Sequence, residues 1–156
     1  MLDALHGRFC RIDAFGNRRY VVAEHVGLEP LYPRRRLDLI ALDTWGSTGY
    51  ALDGYEVKTS RSDLQRELRD PSKAAAFTAH LDTFSLVVAA GVSLDRLEIP
   101  PAWGILVCSD GGTLRYRRKP ARLSDPATYG ASAPLTRHVM AAFARAAQRT
   151  TERVAP

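Results

Sequence analysis

Two short runs that read as strands, Tyr55 to Thr59 and Phe84 to Ala90, stand on either side of a segment with helical character, and this arrangement constrains the fold more than any other feature. Helix-start chemistry follows the first run. Thr59 or Ser60 is placed to cap, and Asp63 falls in the first turn, near the positive end of the helix dipole. Pro71 ends that helix, and the Ala-rich stretch Ser72 to Leu81 begins another. The second run is mostly apolar, the pattern of a strand covered on both faces. A crossover through helices therefore joins the two strands, and a mixed α/β sheet flanked by helices is predicted.

The rest of the chain extends this sheet. Leu37 to Leu42 reads as a strand carrying one carboxylate, Asp38, and the glycine-bearing stretch Asp43 to Asp53 reads as a hairpin loop into Tyr55 to Thr59. Trp103 to Cys108, a turn at Asp110-Gly111-Gly112 and Thr113 to Arg117 form a second hairpin. Arg18 to Val26 puts Tyr20, Val21, Ala23, Glu24 and Val26 on helical spacing, with Gly27 in the closing position. Residues 1–16 are broken by Gly7 and Gly16; Glu29 to Pro33 and Lys119 to Pro134 are loops. Leu135 to Gln148 is a final helix, with Leu135, Val139, Phe143 and Ala147 on one stripe that either completes the core or supports a homodimer. At 156 residues a single domain is expected over 1–156, with its core at about 17–118 and the last helix at 135–148.

No apolar run approaches the ~18 residues needed to span a bilayer, so no membrane partner is expected. The start Met1-Leu2-Asp3-Ala4-Leu5-His6 lacks the basic end and apolar stretch of a secretory signal, which makes the cytoplasm the expected compartment. Cys10 and Cys108 read as reduced thiols, with no paired Cys/His spacing for zinc. A net charge of +5 and a pI near 9.6 favour a polyanionic partner. Of 22 basic residues only Lys58, Lys73 and Lys119 are lysine. A lysine in such a chain points to a role that needs a compact ammonium rather than a planar guanidinium.

One of those lysines lies in Glu56-Val57-Lys58. Side chains two apart on a strand share a face, so Glu56 and Lys58 project together. With Asp38 on the neighbouring antiparallel strand, two carboxylates and one ammonium converge. Hard carboxylate oxygens suit Mg²⁺ or Mn²⁺, and the Val57 carbonyl is a further candidate ligand. Lys58 would polarise an attacking water or stabilise charge developing on a phosphodiester.

The pattern of Asp38 on one strand and Glu56-x-Lys58 on the next resembles the PD-(D/E)xK nuclease superfamily, with Leu37 where that pattern usually has proline. The runs Tyr20 to Val26, Arg66 to Ala74 and Trp103 to Val107 are similar to the MmcB-like DNA repair nucleases of bacteria and their phages. The resemblance implies a restriction-endonuclease-like fold, a Mg²⁺-dependent deoxyribonuclease in repair or phage DNA metabolism, and Glu24 as a further catalytic residue from the first helix. Basic groups at Arg34, Arg35 and Arg36, at Arg61, Arg66 and Arg69, at Lys73, and at Arg117 and Lys119 are placed for DNA phosphates. Trp45 and Tyr50 in the hairpin loop are placed to stack on an unpaired base. Two alternatives keep the same fold: a non-catalytic DNA-binding module, and a nuclease acting on RNA.

Overall fold

A computed structural model describes residues 1–10, 12, 14, 18–27, 36–45, 47, 50–123 and 137–154. The elements run α1 (Leu2–Phe9), β1 (Tyr20–Gly27), β2 (Arg36–Asp43), β3 (Leu52–Lys58), α2 (Arg61–Arg69), α3 (Pro71–Thr78), β4 (Thr83–Ala89), β5 (Gly104–Cys108), β6 (Leu114–Arg118) and α4 (Arg137–Val154). The six strands form one sheet in sequence order, β1 to β6. Its two central pairings, β3 with β4 and β4 with β5, are parallel, and the outer three are antiparallel. The helical crossover from β3 to β4 is therefore present as predicted, and the chain is a mixed α/β domain with helices on both faces.

Each face buries its own apolar cluster. On one side Leu64 of α2, Phe77 of α3 and Ala142 and Ala146 of α4 pack on Ala23, Val26, Leu37, Ile40, Phe84 and Leu86. On the other, Leu5 and Phe9 of α1 cover Val22, Leu39, Tyr55, Val87 and Leu106. The last helix completes the core through Ala142 and Ala146, with Phe143 and Ala147 of the predicted stripe half-buried against it, while Leu135 and the Val139 side chain lie outside the described residues.

Two elements differ from the sequence reading. Residues 20–27 form a strand, not a helix. Ala23 and Val26 share the α4 face, as they would on a helix, because His25 between them takes a left-handed conformation with φ 51°. The ladder to β2 runs from Glu24↔Leu39 to Val26↔Leu37 without pairing His25 to Asp38. That irregularity interrupts the two-residue alternation and reproduces helical spacing in a segment whose valines favour a strand. Residues 2–9 are helical despite Gly7, because Leu2, Leu5, His6 and Phe9 form a stripe of which the last three are buried.

Close approach constrains Gly54 directly. A Cβ on Gly54 would collide with the Leu81 side chain and touch Leu37, so β3 lies against these residues only because position 54 carries no side chain.

Candidate active site

Pairing of β2 with β3 sets Asp38 beside the strand that carries Glu56 and Lys58. The ladder is antiparallel, and its last paired residues are Leu39 and Tyr55. One step further on, the Val57 backbone N–H donates to Asp38 Oδ2 at 2.7 Å. Asp38 is half-buried, and its carboxylate takes the donor that a continuing ladder would have given to a backbone carbonyl. The N–H and C=O of one strand residue leave on the same side, so the Val57 carbonyl also faces the side on which Asp38 stands.

Glu56 and Lys58 share the face covered by α2, as the two-residue period requires. They are 3% and 4% exposed. Lys58 Nζ donates to Glu56 Oε1 at 2.9 Å and to Glu67 Oε2 at 2.8 Å, with Asp63 Oδ1 at 3.9 Å. Glu67 belongs to α2, whose start is fixed by Ser60: its hydroxyl accepts the Asp63 N–H at 3.2 Å. The capped helix places Leu64 and Glu67, three residues apart, against the sheet. Burial alone would lower the Lys58 pKa, but the hydrogen bonds and charges of Glu67 and Glu56 outweigh it and hold the ammonium above its ordinary value. Lys58 is therefore a fixed cation at neutral pH. It can stabilise negative charge or orient a water, and it does not serve as a base that gives up its proton beforehand.

Glu67 is the buried partner of Lys58 that sequence reasoning missed. A carboxylate on a polar helix ordinarily points to solvent, and the available signal was its place one turn after the buried Leu64, on the helix that follows the Glu-x-Lys strand.

Glu24 is positioned by strand β1 and stands on the opposite face from Glu56 and Lys58. Its Oε1 lies 2.5 Å from His6 Nε2 of α1, and both side chains are buried. Its backbone N–H donates to Thr150 Oγ1 of α4 at 2.9 Å. With Asp3, His25, Val57 and Thr59 it lines a cavity of about 490 Å³ on the α1 side. The structure thus ties Asp38 to the backbone between Glu56 and Lys58 and places Glu24 across the sheet from the Glu56–Lys58 pair.

The basic residues divide into two groups. Arg61 donates through Nη1 to Ser93 O and through Nη2 to Asp95 O, both at 2.7 Å, and so anchors the loop that links β4 to β5. Arg118 holds the other end of that loop, donating to Pro100 O and Trp103 O at 2.7 and 2.9 Å. Arg36, Arg66, Arg69, Arg117 and Lys119 are exposed. Arg34, Arg35 and the Lys73 side chain lie outside the described residues.

Among the described residues no three His, Cys, Asp or Glu side chains are grouped closely enough to hold a metal by themselves. The available donor set is Asp38, Glu56 and the Val57 carbonyl. That set fits Mg²⁺, which commonly binds through one or two carboxylates and keeps several waters. Glu56 and Glu67 place two carboxylates on the single ammonium of Lys58. No described helix is long and apolar enough to cross a membrane.

No family model and no curated protein matches the chain. Among solved structures it is similar to the SPO1766 protein of unknown function from Silicibacter pomeroyi, at 18% sequence identity and a TM-score of 0.57, over 87% of this chain and 77% of that one. The likeness shows a shared fold.

Proposed function

We propose that this domain is a metal-dependent deoxyribonuclease of the PD-(D/E)xK type, with Asp38, Glu56 and Lys58 at its centre. The observation that carries the reading is the Asp38–Val57 hydrogen bond of 2.7 Å, which ties the lone acid of β2 to the residue between Glu56 and Lys58. Asp38, Glu56 and the Val57 carbonyl would hold Mg²⁺ or Mn²⁺; when bound, the ion supplies positive charge for phosphate oxygens and a more acidic water. Lys58, kept charged and oriented by Glu67, faces the negative charge that develops during phosphodiester cleavage. Glu67 acts through Lys58 and is a positioning residue. The exposed Arg36, Arg66, Arg69, Arg117 and Lys119 are available to phosphates without selecting a sequence.

A second reading, a non-catalytic DNA-binding module, is favoured by one observation: Glu56, Lys58 and Glu67 are all buried, and Lys58 is already paired with both carboxylates. Incubation of the full chain with single-stranded, duplex and branched DNA in Mg²⁺, beside matched RNA, separates the readings. The nuclease reading predicts DNA cleavage that disappears in EDTA and in Lys58→Ala. Binding without cleavage in wild type supports the module, and cleavage confined to RNA moves the substrate to RNA. Cleavage that persists unchanged in Lys58→Ala contradicts the assigned site.

A further inference from the structure

The α1 face carries a second cluster that hydrolysis does not use. A cavity of about 390 Å³ is lined by Arg8, Phe9, Tyr20, Asp53, Tyr55 and Tyr116. Its volume falls within the roughly 300–1,000 Å³ of small-molecule sites. The aromatic wall is fixed by its own contacts. Phe9 meets the Tyr20 ring edge-on at a centroid distance of 5.0 Å and the tilted Tyr55 ring at 5.3 Å. Tyr55 is buried, whereas Tyr20 and Tyr116 are half-buried and present ring surface at the cavity.

Two charged groups flank these rings. Arg8 is exposed, its guanidinium lying 5.3 Å from the Tyr116 centroid, and it makes no ion pair among the described residues. Asp53 has one oxygen held by the Thr83 hydroxyl at 2.6 Å. Burial pushes its carboxyl above the usual range, with Thr83 opposing the shift, so the acid costs the fold something at neutral pH.

The aromatic surface continues beyond the cavity. Arg19 lies 5.2 Å from the Tyr20 ring and 4.8 Å from the Trp45 ring, bridging the cavity wall to the β2–β3 hairpin. Its guanidinium is locked by Asp43, with Nε 3.0 Å and Nη2 2.6 Å from Oδ2. Trp45 and Tyr50 on that hairpin are 48% and 63% exposed. An exposed tryptophan backed by an immobilised guanidinium is a preorganised stacking surface.

We propose that this cavity takes one unstacked nucleobase and that a neighbouring base stacks on Trp45, making the α1 face a track for single-stranded nucleic acid. A flat π-face suits the Tyr20 and Tyr116 rings. Ring acceptors or the adjoining phosphate suit Arg8, and exocyclic amino groups suit Asp53. A paired base keeps its stacking neighbours and cannot enter, so duplex is disfavoured. This inference goes beyond the nuclease reading and does not rest on it, because neither Glu56 nor Lys58 takes part.

The test is fluorescence anisotropy of the full chain in EDTA with a labelled single strand of about 12 nucleotides, within the site sizes of single-strand binders. DNA and RNA versions and a blunt duplex of the same sequence are compared. The proposal predicts tighter binding of single strand than duplex, weakened roughly 5- to 150-fold by Trp45→Ala and by Tyr116→Ala. Arg8→Ala, an exposed substitution, weakens it too, with melting profiles showing that each variant folds. Equal affinity for single strand and duplex, or wild-type affinity in both Trp45→Ala and Arg8→Ala, overturns it. Failure here leaves Mg²⁺-dependent cleavage untouched, and absence of cleavage leaves this binding untouched.

Discussion

Asp38 accepts the backbone N–H of Val57 at 2.7 Å, so the lone acid of β2 is fastened to the residue that separates Glu56 from Lys58. The contact falls where pairing skips one residue on the β1 side of β2 and ends on the β3 side. His25 and Asp38 do not pair across β1 and β2, and Leu39↔Tyr55 is the last pair with β3. The carboxylate thus satisfies a backbone donor that the sheet leaves over.

Lys58 couples the site to stability. Removing the ammonium in Lys58→Met leaves Glu56 and Glu67 facing each other in a buried setting, which should cost about 3–5 kcal/mol in urea denaturation at pH 7. Because the folded-state pKa is raised, the lysine's contribution is fully present below its unfolded value of 10.5. It fades as pH rises through the higher folded value. The gap between wild type and Lys58→Met should therefore hold at neutral pH and narrow above about pH 10.5. A gap that is constant through that range would show that the ammonium does not control it.

Arg61 is expected to act on the fold. Arg61→Ala removes the donors to Ser93 O and Asp95 O and should lower stability by about 1 kcal/mol, while DNA affinity changes less than in Arg66→Ala. Electrophoretic shifts beside thermal melts check both halves. A larger affinity loss in Arg61→Ala than in Arg66→Ala would return Arg61 to the phosphate contacts.

Gly7 sits inside α1, and a Cβ there meets nothing within 4 Å. Gly7→Ala should stabilise the domain by roughly 0.5–1 kcal/mol. Denaturant midpoints measure it, and a destabilised variant would contradict the helical assignment of residues 2–9.

These residues also show what was legible in the sequence. The crossover could be read because Ser60, Pro71 and two strand-like runs punctuate it, and the shared face of Glu56 and Lys58 could be read because strand periodicity is short and strict. Strand β1 could not, since the left-handed His25 shifts its alternation and sets Ala23 and Val26 three apart on one face. Helix α1 was hidden by Gly7, whose propensity cost is offset by burial of Leu5, His6 and Phe9. Arg61 and Glu67 were obscured for a common reason: a charged side chain on a polar helix has solvent as its default partner. Only tertiary placement supplies the carbonyls of residues 93 and 95, or the ammonium of Lys58.

Mn²⁺ titration of the full chain by calorimetry tests whether Asp38 and Glu56 hold a metal ion. Saturable binding is expected in wild type, abolished by Asp38→Asn and retained by Glu24→Gln, because Glu24 is bound to His6 on the other face. No binding in wild type, or undiminished binding in Asp38→Asn, would contradict that expectation.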